Sequence, residues 1–140
     1  MDGLSSAPLA TAIEWDIWTG GLCRVDTRIR PSLSDIEQAI RRLDQHRHSI
    51  CTICLATGRH LVVGGGTGSY VVYVDNRNNT FEEARRRDPV DPGASLYLTI
   101  GGQEGDYPAE TILDWGRTWA VARRLVVEGL LDDAVAWEHR

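Results

Sequence analysis

From residue 12 the chain alternates strictly between apolar and polar positions. Ile13, Trp15 and Ile17 interleave with Glu14, Asp16 and Trp18; after Gly20-Gly21, Val25, Thr27 and Ile29 alternate with Arg24, Asp26 and Arg28. A period of two with a glycine turn between predicts a hairpin over residues 12–30, stopped by Pro31. The period then lengthens: Leu33, Ile36, Ala39, Ile40 and Leu43 recur at helical spacing. Ser34 and Glu37 read as a capping box for a helix running to about His46. Short β-branched runs follow at residues 49–57, 59–65 and 69–75, punctuated by Gly58 and the Gly64–Gly68 cluster. The third is apolar on both faces, Tyr70, Val72 and Val74 against Val71 and Tyr73, which predicts a central strand.

Residues 76–92 are polar and read as a loop carrying a short helix over residues 80–87. Residues 95–101 read as a strand with Leu96, Leu98 and Ile100 inward and Ser95, Tyr97 and Thr99 outward. A polar loop from Gly101 to Pro108 comes next. Asp114 then caps a second helix with the stripe Trp115, Trp119, Ala122 and Val126, and Gly129 stands where a helix-terminating glycine belongs. Residues 134–138 form a last strand or extended tail. The expected fold is α+β: a largely antiparallel sheet of about six or seven strands with two main helices packed on it. Residues 1–11 read as a flexible leader and residues 12–140 as a single domain.

Of the 140 residues, 42% are hydrophobic and 25% charged, as in an ordinary soluble globular chain. All 15 basic residues are arginines, against 20 acids, for a formal charge of −5. Without lysine there is no Schiff base, no lysine general base and no lysine-bearing phosphate loop. Net acidity argues against nucleic acid as a partner and suits a basic protein. No apolar run is long enough for a membrane helix, and the first residues lack the basic and apolar regions of a secretory signal. Three irregularly spaced cysteines fit a reducing cytoplasm.

Each chemical motif has a plainer explanation. Cys51 and Cys54 form a CxxC, yet on a strand residues three apart face opposite ways, so no metal or redox role is expected. The Gly64–Ser69 run leads into a strand rather than a helix, so it reads as a hairpin turn, not an anion cradle. His46 and His48 fall near the first helix's end, where the dipole favours a cation. Arg85-Arg86-Arg87 is flanked by Glu82, Glu83 and Asp88 and reads as a solvated face. No nucleophile, base and orienting group can be assembled, and no cofactor is implied. The stretch Gly101–Pro108 stays open: its glycines suit a long turn, while Glu104, Asp106 and Tyr107 suit a recognition loop. Trp18, on the face of Glu14 and Asp16, is expected to be exposed and is a second interface candidate.

LVVGGGTGSYVVYVD (residues 61–75), LTIGGQEGDYPAETIL (98–113) and VVEGLLDDAVAWE (126–138) together resemble the first-numbered family of immunity proteins from bacterial polymorphic-toxin systems. In that family a Gly-Gly-Gln-Glu-Gly loop precedes an acid-Tyr-Pro, and a glycine-terminated helix leads through an aspartate-rich turn to a terminal Trp-Glu. The resemblance implies an α+β, non-enzymatic, cytoplasmic inhibitor that occludes a cognate toxin domain, commonly one acting on nucleic acid. The expected partner-binding residues are Gln103, Glu104, Asp106, Tyr107 and Glu110, with Trp18 and Glu138. The alternative is a small-molecule or nucleotide-binding regulatory domain using the glycines at 64–68 and 101–105.

Overall fold

A computed structural model describes residues 9–140. Strands β1 (Ala10–Thr19) and β2 (Leu22–Ile29) are followed by helix α1 (Leu33–Arg41). Strands β3 (Ile50–Leu55), β4 (His60–Gly66), β5 (Ser69–Asp75), β6 (Phe81–Arg85), β7 (Ser95–Ile100) and β8 (Gln103–Pro108) come next. A single 3₁₀ turn (Ala109–Thr111), helix α2 (Trp115–Glu128) and strand β9 (Ala136–His139) complete the chain. Seven strands form one sheet in the order β2-β1-β3-β4-β5-β6-β9, and β7 and β8 form a separate hairpin. Every pairing is antiparallel. The expected α+β fold is therefore the observed one. β1 begins at Ala10, so Ala10 and Thr11 of the expected leader lie in a strand; residues 1–8 of it lie outside the described residues.

The sheet separates two environments. On one face Ile13, Cys51, Ile53, Leu61, Val63, Val72, Val74 and Ala84 pack against Ile36 and Ile40 of α1 and Val121, Ala122 and Leu125 of α2. Burying a side chain of this size contributes roughly 1.5–3 kcal/mol, so this layer holds the fold together. The other face carries the β7–β8 hairpin, with Ile100 seated on Gly64 where any β-carbon would collide. β5 is thus a central strand, covered on both sides as its pattern required. Trp115 and Trp119 stack at the edge of the core, not within it, and the Arg41 guanidinium lies 4.1 Å over the Trp115 ring. Asp114 caps α2 and Gly129 ends it in the left-handed conformation, as expected.

Several expectations are corrected. The capping box is Ser32 with Asp35, each side chain taking the other's backbone N–H, and not Ser34 with Glu37. The same spacing occurs two residues earlier, and the helix starts at Leu33, as expected. α1 ends at Arg41 rather than near His46, because the Asp44 carboxylate accepts the backbone N–H groups of His46, Arg47 and His48. An aspartate that offers the backbone an alternative partner stops a helix, and His46 therefore gains nothing from the dipole of α1. Residues 81–85 form β6, not a helix; pairing with β5 and β9 overrides the helix-favouring Glu-Glu-Ala-Arg composition. The Gly101–Pro108 stretch is a two-glycine turn followed by a strand, not a loop. Leu96, expected inward, is 46% exposed, since the short hairpin covers only part of the sheet. β2 is exposed along its whole length, so Val25 and Ile29 do not join a buried face.

Candidate partner-binding surface

The second face of the sheet is organised around Asp16. The alternation along β1 groups it with solvent-facing residues, yet it is only 4% exposed. Its carboxyl group accepts from the Ser49 backbone N–H at 2.6 Å, the Ser49 hydroxyl at 2.5 Å, the Ile50 N–H at 3.0 Å and the Trp18 indole N–H at 2.8 Å. The Ser49 oxygen in turn accepts from the Gly102 N–H at 2.9 Å. One buried carboxyl group therefore fastens β1, the start of β3 and the β7–β8 turn together. Buried polar atoms are costly unless satisfied, and these satisfy one another.

Gln45 makes a second link. Its amide donates to the Gly66 carbonyl at 2.9 Å and the Thr67 hydroxyl at 3.1 Å, and its side-chain oxygen accepts from the Thr99 N–H at 3.0 Å. Gln45 itself holds a positive φ of 63°. Four chain segments (the C-terminal end of β1, the α1–β3 loop, the β4–β5 tip and the β7–β8 turn) thus meet at one end of the sheet. A groove of about 280 Å³ lined by Trp18, Gln45, His46, Thr99 and Gly102 lies between them.

From that end β8 runs across the sheet towards β6. Gln103, Gly105 and Tyr107 share its inner side, whereas Glu104 and Asp106 face outward opposite Thr99 and Tyr97. Tyr97 is 67% exposed. Among the described residues Glu104 and Asp106 enter no ion pair. Glu110 and Glu138 do: Arg85 contacts Glu110 at 3.7 Å and Glu138 at 3.2 Å, and Arg140 contacts Glu138 at 2.9 Å. Glu83 also contacts both arginines, so three carboxylates share two guanidinium groups.

All seven expected residues therefore belong to the hairpin-bearing side of the sheet, but they are not equivalent. Glu104 and Glu110 lie near opposite ends of β8, not clustered at one sheet end. Trp18 is half-buried beneath Gly102 rather than exposed. Tyr107 is half-buried and Gln103 lies on the inner side of the hairpin. Sequence reasoning missed two residues. Asp16 was missed because three of its four hydrogen bonds come from Ser49 and Ile50, 33 and 34 positions away. Tyr97 was read as outward, and reading residues 103–108 as a strand would have placed it beside Asp106.

The other motifs are absorbed by the fold. Cys51 is buried and its thiol is pushed up to about 12 by burial, while Cys54 lies half-exposed on the opposite face. The Gly65 N–H donates to the Ser49 carbonyl at 3.0 Å, and a β-carbon on Gly66 would strike the Leu43 carbonyl. The Gly102 N–H is engaged as well, by the Ser49 hydroxyl oxygen, so both glycine clusters take part in holding the strands together. Among the described residues no helix is long and apolar enough to cross a membrane.

Among the described residues this face of the hairpin thus presents two carboxylates outside any ion pair, beside an exposed tyrosine. A family model, Immunity protein Imm1, matches residues 25–139. The chain belongs to this family of immunity proteins, and membership implies a protein that acts against a toxin. The match extends well beyond the Leu61–Glu138 region in which the resemblance was legible, taking in α1 and most of β2. No curated protein and no solved structure matches the chain.

Proposed function

We propose that this protein binds a cognate toxin domain, commonly of the nucleic-acid-targeting kind, and blocks it by occlusion in the cytoplasm of the producing cell. The observation that carries the site assignment is the outward pair Glu104 and Asp106, unpaired and flanking exposed Tyr97 on the β7–β8 hairpin. Toxins that handle polyanions surround their active sites with basic residues. A carboxylate-bearing surface on a chain of charge −5 steers such a partner in and raises the association rate. The tyrosine supplies the apolar contact that charge alone lacks. Gln103, Tyr107, Glu110, Trp18 and Glu138 then act as a supporting rim, with Glu110 and Glu138 already balanced by Arg85.

The test is binding and cell rescue with the toxin domain encoded beside this protein. Glu104→Arg with Asp106→Arg is expected to weaken binding at least a hundredfold and to abolish protection. Unchanged binding by the folded double variant overturns the site. Failure of the wild-type protein to bind or protect overturns the function.

A further inference from the structure

The outer strand β2 is exposed, and its sequence pattern is complementary to itself. β2 lies at the sheet edge and all eight of its residues are exposed; Leu22 is 79%, Val25 60% and Ile29 65% exposed. Folds usually blunt such an edge with proline, a bulge or charged side chains, and charges repel another strand only where like meets like. β2 contains no proline, its register with β1 is unbroken from Ile29 to Leu22, and its charges alternate in sign: Arg24, Asp26, Arg28.

The register also shows which backbone groups no described strand takes up. The Arg30 N–H donates to the Thr11 carbonyl, so even-numbered positions of this strand point their backbone groups at β1. Cys23, Val25, Thr27 and Ile29 consequently point theirs outward. We propose that two copies pair β2 with β2, antiparallel, about a two-fold axis at Val25, extending one sheet into the next. Val25 then faces Val25, Cys23 faces Thr27, and these positions exchange backbone hydrogen bonds. Arg24 falls opposite Asp26 twice, in the closely spaced non-hydrogen-bonded pairs where opposite charges interact best. Neighbouring registers fail on charge. An axis at Asp26 sets Asp26 against itself and Arg24 against Arg28; an axis at Thr27 sets Arg24 against Arg30; an axis at Arg24 sets that residue against itself. Only the Val25 register sets opposite charges across the seam with no like pair. The surface is separate from Glu104 and Asp106, so this inference does not depend on the toxin reading.

Sedimentation equilibrium over a wide concentration range tests it. Wild-type protein is expected to rise towards twice the monomer mass, and Arg24→Asp to weaken the dimer at least tenfold. The exchange Arg24→Asp with Asp26→Arg restores it, because each reversed charge again meets its opposite. Val25→Cys in a Cys23→Ser background gives a disulfide-linked dimer on mild oxidation. These changes lie on an exposed strand, and circular dichroism checks that each variant stays folded. A wild-type protein that stays monomeric at millimolar concentration overturns the proposal. So does a charge exchange that fails to restore what Arg24→Asp removed.

Discussion

The Trp18 indole fills the space that a β-carbon on Gly102 would occupy. Gly102 also holds a φ of 78°, which L side chains rarely adopt. Gly102→Ala is therefore expected to cost about 1–3 kcal/mol through overpacking and backbone strain together. The neighbouring Gly101 has a φ of 62° but nothing within reach of a β-carbon, so Gly101→Ala should show the backbone cost alone, about 1 kcal/mol. Urea midpoints of the two variants measure the difference, which is the contribution of the indole contact.

Asp16 is expected to be the most sensitive charged position in the chain. Asp16→Ala strips acceptors from two backbone N–H groups, a hydroxyl and an indole, and should cost about 3–5 kcal/mol. Ser49→Ala removes the hydroxyl that joins Asp16 to Gly102 and should cost less, about 1–2 kcal/mol. A double-mutant cycle between these positions should be strongly non-additive, because both variants break one network.

Acid should weaken the fold through four identified carboxylates. In Asp35 the Ser32 backbone and side-chain hydrogen bonds hold the carboxyl below its ordinary value. In Asp44 burial pushes upward, but the three backbone donors outweigh it and the net shift is down. Glu82 behaves likewise: burial raises it, while His139 and Asn76 bring it below its ordinary 4.5. The Arg86 hydrogen bond takes Asp88 to about 2. Because each folded value is depressed, the stabilisation is complete above about pH 4.5 and is lost as pH falls towards 2. Denaturation midpoints measured from pH 7 to pH 2.5 should drop in that window. Asp44→Asn, which keeps the Oδ1 acceptor and cannot titrate, should flatten its share of the drop.

The cysteines should separate by burial. In native protein a maleimide is expected to modify Cys23 fastest and Cys54 slowly, and to leave Cys51 untouched until unfolding, since burial keeps its thiol up to about 12. Mass spectrometry of a labelling time course reads this directly. Rapid modification of Cys51 in folded protein contradicts its placement in the core.

What the sequence disclosed was what local physics determines. The β1–β2 and β4–β5 hairpins, the Asp114 cap and the Gly129 stop depend on neighbours a few residues away, and all were legible. Phe81–Arg85 was misread because its composition favours helix while its strand state comes from β5 and β9, the latter about fifty residues on. Val25 and Ile29 have the alternation of a half-buried strand, but no element among the described residues packs over them, and alternation does not report what lies opposite. Asp16 is the converse: a polar position that looks solvent-facing until Ser49 and the β7–β8 hairpin close over it. Of the expected site residues, Glu104 and Asp106 face outward on a strand where a loop was expected, while Glu110 and Glu138 are tied up by Arg85.

Gln45 has a consequence for how this end of the molecule meets another protein. Its one amide group uses both of its ends, so the tips of two hairpins and the loop after α1 are hydrogen-bonded to one another through a single side chain. Ordering a rotamer-rich side chain at an interface costs about 0.5–1.5 kcal/mol of conformational freedom. Here that entropy is given up before any encounter. A partner that docks across these tips finds its complementary shape already in place, and its attraction goes into holding the complex together rather than into ordering loops.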